Sequence, residues 1–333
     1  MATSLKKLLI GTSVAVGISA TASLPAKAAS FDFDNSETNY ATYTHNNSNN
    51  NSNLWIKKNE AVAINALTDG NLQTNVELNE ANETNSSSVG FTAKAGKHTA
   101  KVSSVTTKEF NAFQGEWLSG LLNAYQPLKN VWSASSQAFR DVALGVFKTS
   151  VGFGDPNIAE FSLDKTGAMS MKTLGFFDLK PKVDDYTKTE IDSPLSKAQV
   201  KLSKLDLQIK NTTDKTILDE LKVERSNLNV SIAQLKAARV EVNSLNNALK
   251  GIPNLQISEI VKVELDGVSE YVYSFNAEKS GFVAEDDGKS YSGVYSWSKA
   301  GTPAAVPEPS TILGLMAVGG LFGAAKRNAN KKA

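Results

Sequence analysis

The stretch VKVELDGVSEYVYSF, residues 261–275, decides the fold class. Apolar residues alternate with polar ones on both sides of a central Asp-Gly pair: Val261, Val263, Leu265, Tyr271, Tyr273 and Phe275. Alternation with a period of two places one face of a strand against a core, and Asp-Gly favours the two-residue turn of a hairpin. The stretch therefore predicts an antiparallel β-hairpin.

A second hairpin is predicted at EDDGK, residues 285–289, with aromatic residues on its return strand: Tyr291, Tyr295 and Trp297. Residues 61–105 also show short apolar alternations, among them Val62 with Ile64, between Gly- and Asn-rich turn signals. Both regions favour antiparallel strands. The tyrosine and tryptophan faces of these strands are candidate contacts for polysaccharide.

Residues 109–149 have a helical period instead. Apolar and aromatic residues recur every three or four positions, beginning with Phe110, Phe113, Trp117 and Leu121. The pattern predicts an amphipathic helix that packs on the sheet and bends or breaks at Pro127, because proline removes a helical N–H donor.

Residues 194–250 form a second helical region. Leucines and isoleucines follow a heptad rhythm up to Ile209, and a second frame begins at Leu218, after NTTD at 211–214. The shift in frame fits either a stutter in one long helix or a turn between two helices. We therefore predict a helical hairpin or coiled-coil arm that associates with itself or with a partner.

Strands are thus predicted on both sides of this arm. The expected fold is α+β: a β-rich antiparallel domain built from residues 29–183 and 256–297, with the amphipathic helix 109–149 and the inserted arm 194–250.

The N-terminus has the pattern of a secretory signal peptide over residues 1–28. Two lysines precede an apolar stretch, and Ala26-Lys27-Ala28 forms a small-x-small cleavage site. We expect cleavage between Ala28 and Ala29.

The C-terminus, residues 306–333, follows a short linker at 298–305. Its fourteen uncharged residues, 312–325, span about 21 Å as a helix, less than the roughly 30 Å of a bilayer core. Pro307, Glu308 and Pro309 precede them, and the prolines keep the chain extended. A basic end follows, which the positive-inside rule places in the cytoplasm: Lys326, Arg327, Lys331 and Lys332.

This order of Pro-Glu-Pro, hydrophobic helix and basic end closely resembles the PEP-CTERM sorting signal of bacterial envelope and matrix proteins. The many asparagines and the Lys/Asn-rich end look similar to cyanobacterial members. The resemblance implies an exosortase-type membrane enzyme as partner, which reads the motif and cleaves near it. It also implies export, transient membrane anchoring by the C-terminal helix, and a final place at the cell surface or outside the cell.

Charge and cysteine content limit the possible functions. The net charge is +1, of which residues 1–28 and 306–333 carry +3 each, so residues 29–305 carry −5. A mildly acidic region without a basic stripe does not favour nucleic-acid binding. The chain has no cysteine, which rules out disulfides, a thiol nucleophile and cysteine-based metal sites.

No residue pattern indicates a catalytic, cofactor or metal site. His45 and His98 are the only histidines. The closely spaced acidic pairs lack the pattern of a calcium loop: Asp32 with Asp34, Asp184 with Asp185, and Asp286 with Asp287. We expect no cofactor and no enzyme activity, but a structural or adhesive protein associated with exopolysaccharide. The alternative is a secreted polysaccharide-active hydrolase that uses two carboxylates as acid and base.

Overall fold

The computed structural model describes residues 30–33, 40–44, 54–79, 87–151, 154–286 and 289–301. The predicted signal peptide, residues 1–28, and the predicted sorting signal, residues 306–333, lie outside these ranges. Two antiparallel sheets and seven α-helices make up the described part, which confirms the α+β class with antiparallel sheets.

The strands are, in chain order, β1 (Ser30–Phe33), β2 (Tyr40–Thr44), β3 (Leu54–Lys57), β4 (Thr74–Leu78), β5 (Gly90–Ala95), β6 (His98–Ser103), β7 (Asn157–Leu163), β8 (Met169–Phe176), β9 (Ile257–Ser258), β10 (Val261–Leu265), β11 (Val268–Val272), β12 (Glu278–Asp286) and β13 (Lys289–Lys299). The helices are α1 (Glu60–Thr68), α2 (Thr107–Ala124), α3 (Gln126–Ala134), α4 (Gln137–Val151), α5 (Lys180–Tyr186), α6 (Ser193–Asn211) and α7 (Lys215–Leu249). A π-helical segment, Thr187–Asp192, joins α5 to α6.

The five-stranded sheet has the strand order β1-β5-β6-β10-β11. Its β10–β11 hairpin pairs Leu265 with Val268 across Asp266 and Gly267, whose φ angles are 51° and 84°. Two successive residues with positive φ form the turn that matches the twist of a hairpin. The predicted hairpin is confirmed, although β11 ends at Val272, before Tyr273.

The eight-stranded sheet has the order β12-β13-β8-β7-β4-β2-β3, with β9 paired to β8. Its β12–β13 pair is antiparallel and joins Asp286 to Lys289, which confirms the predicted second hairpin. The sheet therefore combines strands from before and after the helical region of the chain.

A first core lies between the two sheets. Phe91 from the five-stranded sheet meets Phe161 from the eight-stranded sheet edge to face, with ring centroids 5.3 Å apart. Both rings are buried, in a cluster that draws residues from both sheets. Since aromatic side chains bury the largest apolar areas, this contact contributes strongly to holding the sheets together.

Helix α1 also packs on the first core and corrects the strand predicted at Val62 and Ile64. The side chain of Asn59 accepts a hydrogen bond from the Val62 N–H at 3.2 Å and caps the helix. Ala63 and Leu67, four residues apart, are buried on one helical face. The short apolar alternation was compatible with both periods, and the cap decides for the helix.

A second core forms where α2, α4, α5 and α7 meet the eight-stranded sheet. It contains the predicted aromatic stripe of α2 together with residues of β8 and β13: Phe110, Phe113, Trp117, Leu121, Leu174, Phe176 and Val294. The segment 109–149 lies in three helices. Pro127 occupies the first turn of α3, and a further break falls at Ser135 and Ser136, between α3 and α4.

Helices α6 and α7 lie side by side, with Thr212, Thr213 and Asp214 between them. We call this pair the arm. Asp214 caps α7 by accepting hydrogen bonds from the N–H groups of Thr216 and Ile217. The C-terminal part of α7 belongs to the second core, through Val242, Leu245 and Leu249. Within the described ranges, no helix has an apolar stretch long enough to cross a bilayer.

Candidate functional site

The outer face of the five-stranded sheet, opposite the first core, carries polar side chains. Strand register places four of them in one row across the sheet: Asp32 beside Thr92, Thr92 beside Lys101, and Lys101 beside Glu264. The positions alternate with core residues along each strand, as the pleat requires. The strands that carry these residues are far apart in the sequence. Their pairing in the sheet, which the sequence does not show, brings the residues together.

A groove of about 650 Å³ lies over this row, and we call it the outer groove. Its lining includes Asp32, Ser88, Thr92, Lys101, Lys262 and Glu264. Gly90 also lines it, and a Cβ at this position would overlap the backbone of Val102 and Ser103 on the next strand. A glycine is therefore required for close strand contact beneath the groove.

The charges that line the outer groove are balanced in number, with two carboxylates and two lysines, and each lysine has a carboxylate neighbour. Lys262 contacts Glu109 of α2 at 2.7 Å, and Lys101 lies 3.9 Å from Glu264. Burial alone would raise the pKa of Glu109, but hydrogen bonds from Lys262 and Thr106 outweigh burial and lower it. The hydrogen bond with Glu109 raises the pKa of Lys262, against a smaller opposing effect of burial. The groove thus offers hydroxyls and paired charges, without a surplus of either sign.

The two carboxylates of the row are too far apart for glycoside hydrolysis. Asp32 and Glu264 stand three strand spacings apart, which is about 14 Å at roughly 4.8 Å per strand. Catalytic carboxyl pairs lie about 5 to 9.5 Å apart. This pair does not meet the requirement of the hydrolase alternative.

His98 is buried and holds a turn in place. Its Nδ1 lies 2.6 Å from Oδ2 of Asp266, and the other carboxylate oxygen accepts the Thr99 N–H at 2.9 Å. The hydrogen bond from Thr99, followed by that from His98, lowers the pKa of Asp266. These contacts join the β5–β6 turn to the β10–β11 turn, so the geometry is that of a structural clamp.

The other acidic candidates do not converge on a site. Asp184 lies 3.5 Å from the Asn246 side chain, and Asp185 lies 3.5 Å from Lys188 on an exposed surface. Asp34 and Asp287 fall outside the described residues, as does His45. Among the residues that the structure describes, no group of three or more acidic or histidine side chains is arranged to hold a metal ion.

The aromatic residues predicted as polysaccharide contacts are largely used inside the fold. Tyr271 stacks on Phe113 of α2 with ring centroids 4.0 Å apart. Tyr295 is buried and its hydroxyl donates to the Phe176 carbonyl at 2.6 Å, while burial raises its pKa well above the usual value. These rings contribute apolar contact area to the cores rather than an open platform.

The arm differs in presenting apolar side chains to solvent. Of the seven large apolar residues found exposed in the described chain, six lie on the arm: Val200, Leu207, Ile217, Val223, Val230 and Val240. The hairpin's own ion pairs, Lys201 with Glu224 at 2.8 Å and Arg225 with Asp206 at 2.6 Å, lie between its helices. The arm therefore has a packed inner face and an unpaired outer face.

The predicted sorting residues lie outside the described part of the chain: Ala28, Ala29, Pro307, Glu308, Pro309, Lys326, Arg327, Lys331 and Lys332. Residues 305–328 match the family model of the PEP-CTERM protein-sorting motif. The chain carries a PEP-CTERM sorting motif. The PEP-CTERM motif implies export and sorting through an exosortase, to the cell surface or beyond it. No curated protein and no solved structure matches this chain.

Sequence reasoning located the PEP-CTERM motif and the arm but missed the outer groove. A weak signal was present, because polar residues occupy alternate positions in three separate strands: Thr92 and Lys94, Thr99 and Lys101, Lys262 and Glu264. The sequence does not show the order of those strands in the sheet. It therefore does not show that these residues form one row.

Proposed function

We propose that this chain is a non-catalytic structural or adhesive protein of the cell surface or extracellular matrix, which associates with itself through the arm. The observation that carries the proposal is the concentration of exposed apolar side chains on the arm. Monomeric proteins rarely expose ordered apolar surface without a partner for it. A two-sheet body with closed cores and an arm with an open apolar face suit assembly better than catalysis.

The PEP-CTERM motif gives the proposed route to the surface. The C-terminal helix anchors the chain transiently, and an exosortase-type enzyme processes it at or near Pro307, Glu308 and Pro309. Replacing these three residues with alanine should leave export intact and cause an unprocessed, membrane-bound form to accumulate. The matched control replaces Ser310 and Thr311 with alanine. Mature mass and membrane fraction are the measurements, and equal processing of the motif variant and the wild type would contradict this route.

The outer groove favours a second role, contact with exopolysaccharide. Its hydroxyls and paired charges supply donors and acceptors for sugar hydroxyl groups, while its balanced charge suits a neutral chain. Retention of the full chain on immobilised envelope polysaccharide should fall when Thr92→Val is combined with Ser103→Val, which removes a second hydroxyl from the lining of the groove. The control, Thr189→Val on the exposed surface of the π-helical segment, should bind like the wild type.

The hydrolase alternative is tested directly. Incubating the full exported chain with envelope polysaccharide should release no new reducing ends, because Asp32 and Glu264, the two carboxylates of the row, are too far apart. Release of reducing ends by the wild type, and its loss in Glu264→Gln, would replace the structural proposal with an enzymatic one.

A further inference from the structure

The outer face of α7 carries a continuous uncharged stripe, which we call the seam. Its members alternate at spacings of three and four residues, and all are exposed: Val223, Ser226, Val230, Ala233, Ala237, Val240 and Ser244. This is the spacing of a two-stranded coiled-coil contact. The buried and half-buried apolar residues of the same stretch, among them Leu228, Ile232 and Leu235, lie on the opposite side of the helix.

The seam is not explained by packing within the chain. Val223, Val230 and Val240 are 61%, 56% and 62% exposed, although the helix on its inner face is well packed. Charged side chains elsewhere on α7 are common, yet none occurs at the seven seam positions. Since exposed helix faces are normally polar, a charge-free stripe of this length indicates a helical partner.

We propose that the partner is a second copy of the same helix, with two α7 helices pairing in parallel and in register along the seam. This inference rests on the proposed function and specifies which residues make the contact between copies. In such a pair Val223 and Val230 meet their own counterparts at the first core position of the heptad, where two-stranded parallel coiled coils commonly place β-branched residues.

Charge complementarity selects the parallel orientation. In a parallel pair, a residue that flanks the seam on one helix lies beside the residue five positions later on the other helix. Lys236 of each copy therefore lies beside Glu241 of the other. The antiparallel arrangement would instead bring Glu220 of one copy beside Glu241 of the other. Within the described part of the chain, these three side chains take no part in the ion pairs of the arm.

Membrane tethering would favour the pair by concentration. Copies that are sorted through the PEP-CTERM motif would be held at one membrane surface, which raises their local concentration. The seam from Val223 to Ser244 is about 32 Å long at 1.5 Å per residue, and a helix is about 10 Å wide. A contact of this length and width buries less surface than a stable protein interface does. The pair should therefore be weak in solution and favoured by crowding at a surface.

Single cysteines test both the contact and its orientation, and the native chain has none to interfere. Val223 and Val240 lie 17 residues apart, about 26 Å along α7. In the parallel pair, full-length Val223→Cys and full-length Val240→Cys should each form a disulfide-linked dimer under mild oxidation. A mixture of the two variants should form only the two homodimers. Ser231→Cys, exposed on α7 but away from the seam, is the control for random collision.

The outcomes separate the inference from the proposed function. Cross-linking mainly between Val223→Cys and Val240→Cys would overturn the parallel orientation but retain self-association through the arm. Cross-linking of Ser231→Cys as fast as the seam variants would overturn the seam as the contact. Sedimentation of the wild-type chain as a monomer at every concentration would overturn both the seam and the proposed self-association.

Discussion

The two-sheet body and the arm use the same kinds of apolar residue for different purposes. In the body, strand alternation points Phe91 and Phe161 into one closed core, where both are buried. On the arm, heptad spacing occurs twice on α7, once toward α6 and once, at the seam, toward solvent. An apolar pattern alone therefore does not show whether its partner lies in the same chain. The packing in the structure is needed to tell a contact within the chain from a contact with another chain.

The largest expected effect is the difference in stability loss between a substitution in the body and one on the arm. Phe91→Ala removes an aromatic ring from the first core and should lower the free energy of unfolding by about 3 to 5 kcal/mol. Leu207→Ala, at a side chain that is 61% exposed, should change it by less than about 0.5 kcal/mol. Urea unfolding of both variants measures the two values. Similar losses would mean that the arm contributes to the stability of the body.

A smaller effect is expected at Tyr125, which ties the helical layer to the chain before β10. Its hydroxyl accepts the Gln256 N–H at 2.6 Å and donates to the Gln256 carbonyl at 2.9 Å, and burial raises its pKa to about 12. Tyr125→Phe leaves these backbone groups without that partner and should cost about 1 to 3 kcal/mol in urea unfolding. Tyr186→Phe is the control. An unchanged stability in Tyr125→Phe would contradict the bridging role.

The ion pair between Glu109 and Lys262 should give a pH-dependent effect of about 1 kcal/mol. Because the pKa of Glu109 is lowered in the folded state, its contribution is present above the unfolded pKa and is lost as pH falls through the folded pKa. Glu109→Gln should therefore be less stable than the wild type at pH 7, and the difference should shrink as pH falls below the usual carboxyl pKa. A constant difference across this range would exclude the ionised carboxylate as its cause.

The smallest effect on stability is expected within the arm. The exposed pair of Asp206 and Arg225 should contribute at most about 1 kcal/mol. Replacing both with cysteine should nevertheless allow an internal cross-link, because the side chains meet across the hairpin. In one straight helix they would lie about 28 Å apart at 1.5 Å per residue. Failure of a short reagent to join them within one chain would favour the straight helix.

The sequence predicts local features of this fold better than distant ones. The β10–β11 hairpin was predictable because Asp266 and Gly267 form the turn that its strands require. The strand predicted at the position of helix α1 is wrong because two apolar residues, Val62 and Ile64, fit either period. The outer groove depends on strands that are far apart in the chain, so Asp32 and Glu264 could not be placed in one row. The PEP-CTERM motif, by contrast, is contiguous in sequence and needs no folding argument.

Sedimentation of matched variants shows whether α7 carries the contact between copies. Val223→Glu with Val230→Glu places two charges in the seam, whereas Val200→Glu with Leu207→Glu places two on the exposed face of α6. Both pairs are exposed, so neither should alter the folding of the body. We predict that the wild type and the α6 variant show the same concentration-dependent association, while the α7 variant remains a monomer. Association of the α7 variant equal to that of the wild type would contradict the claim.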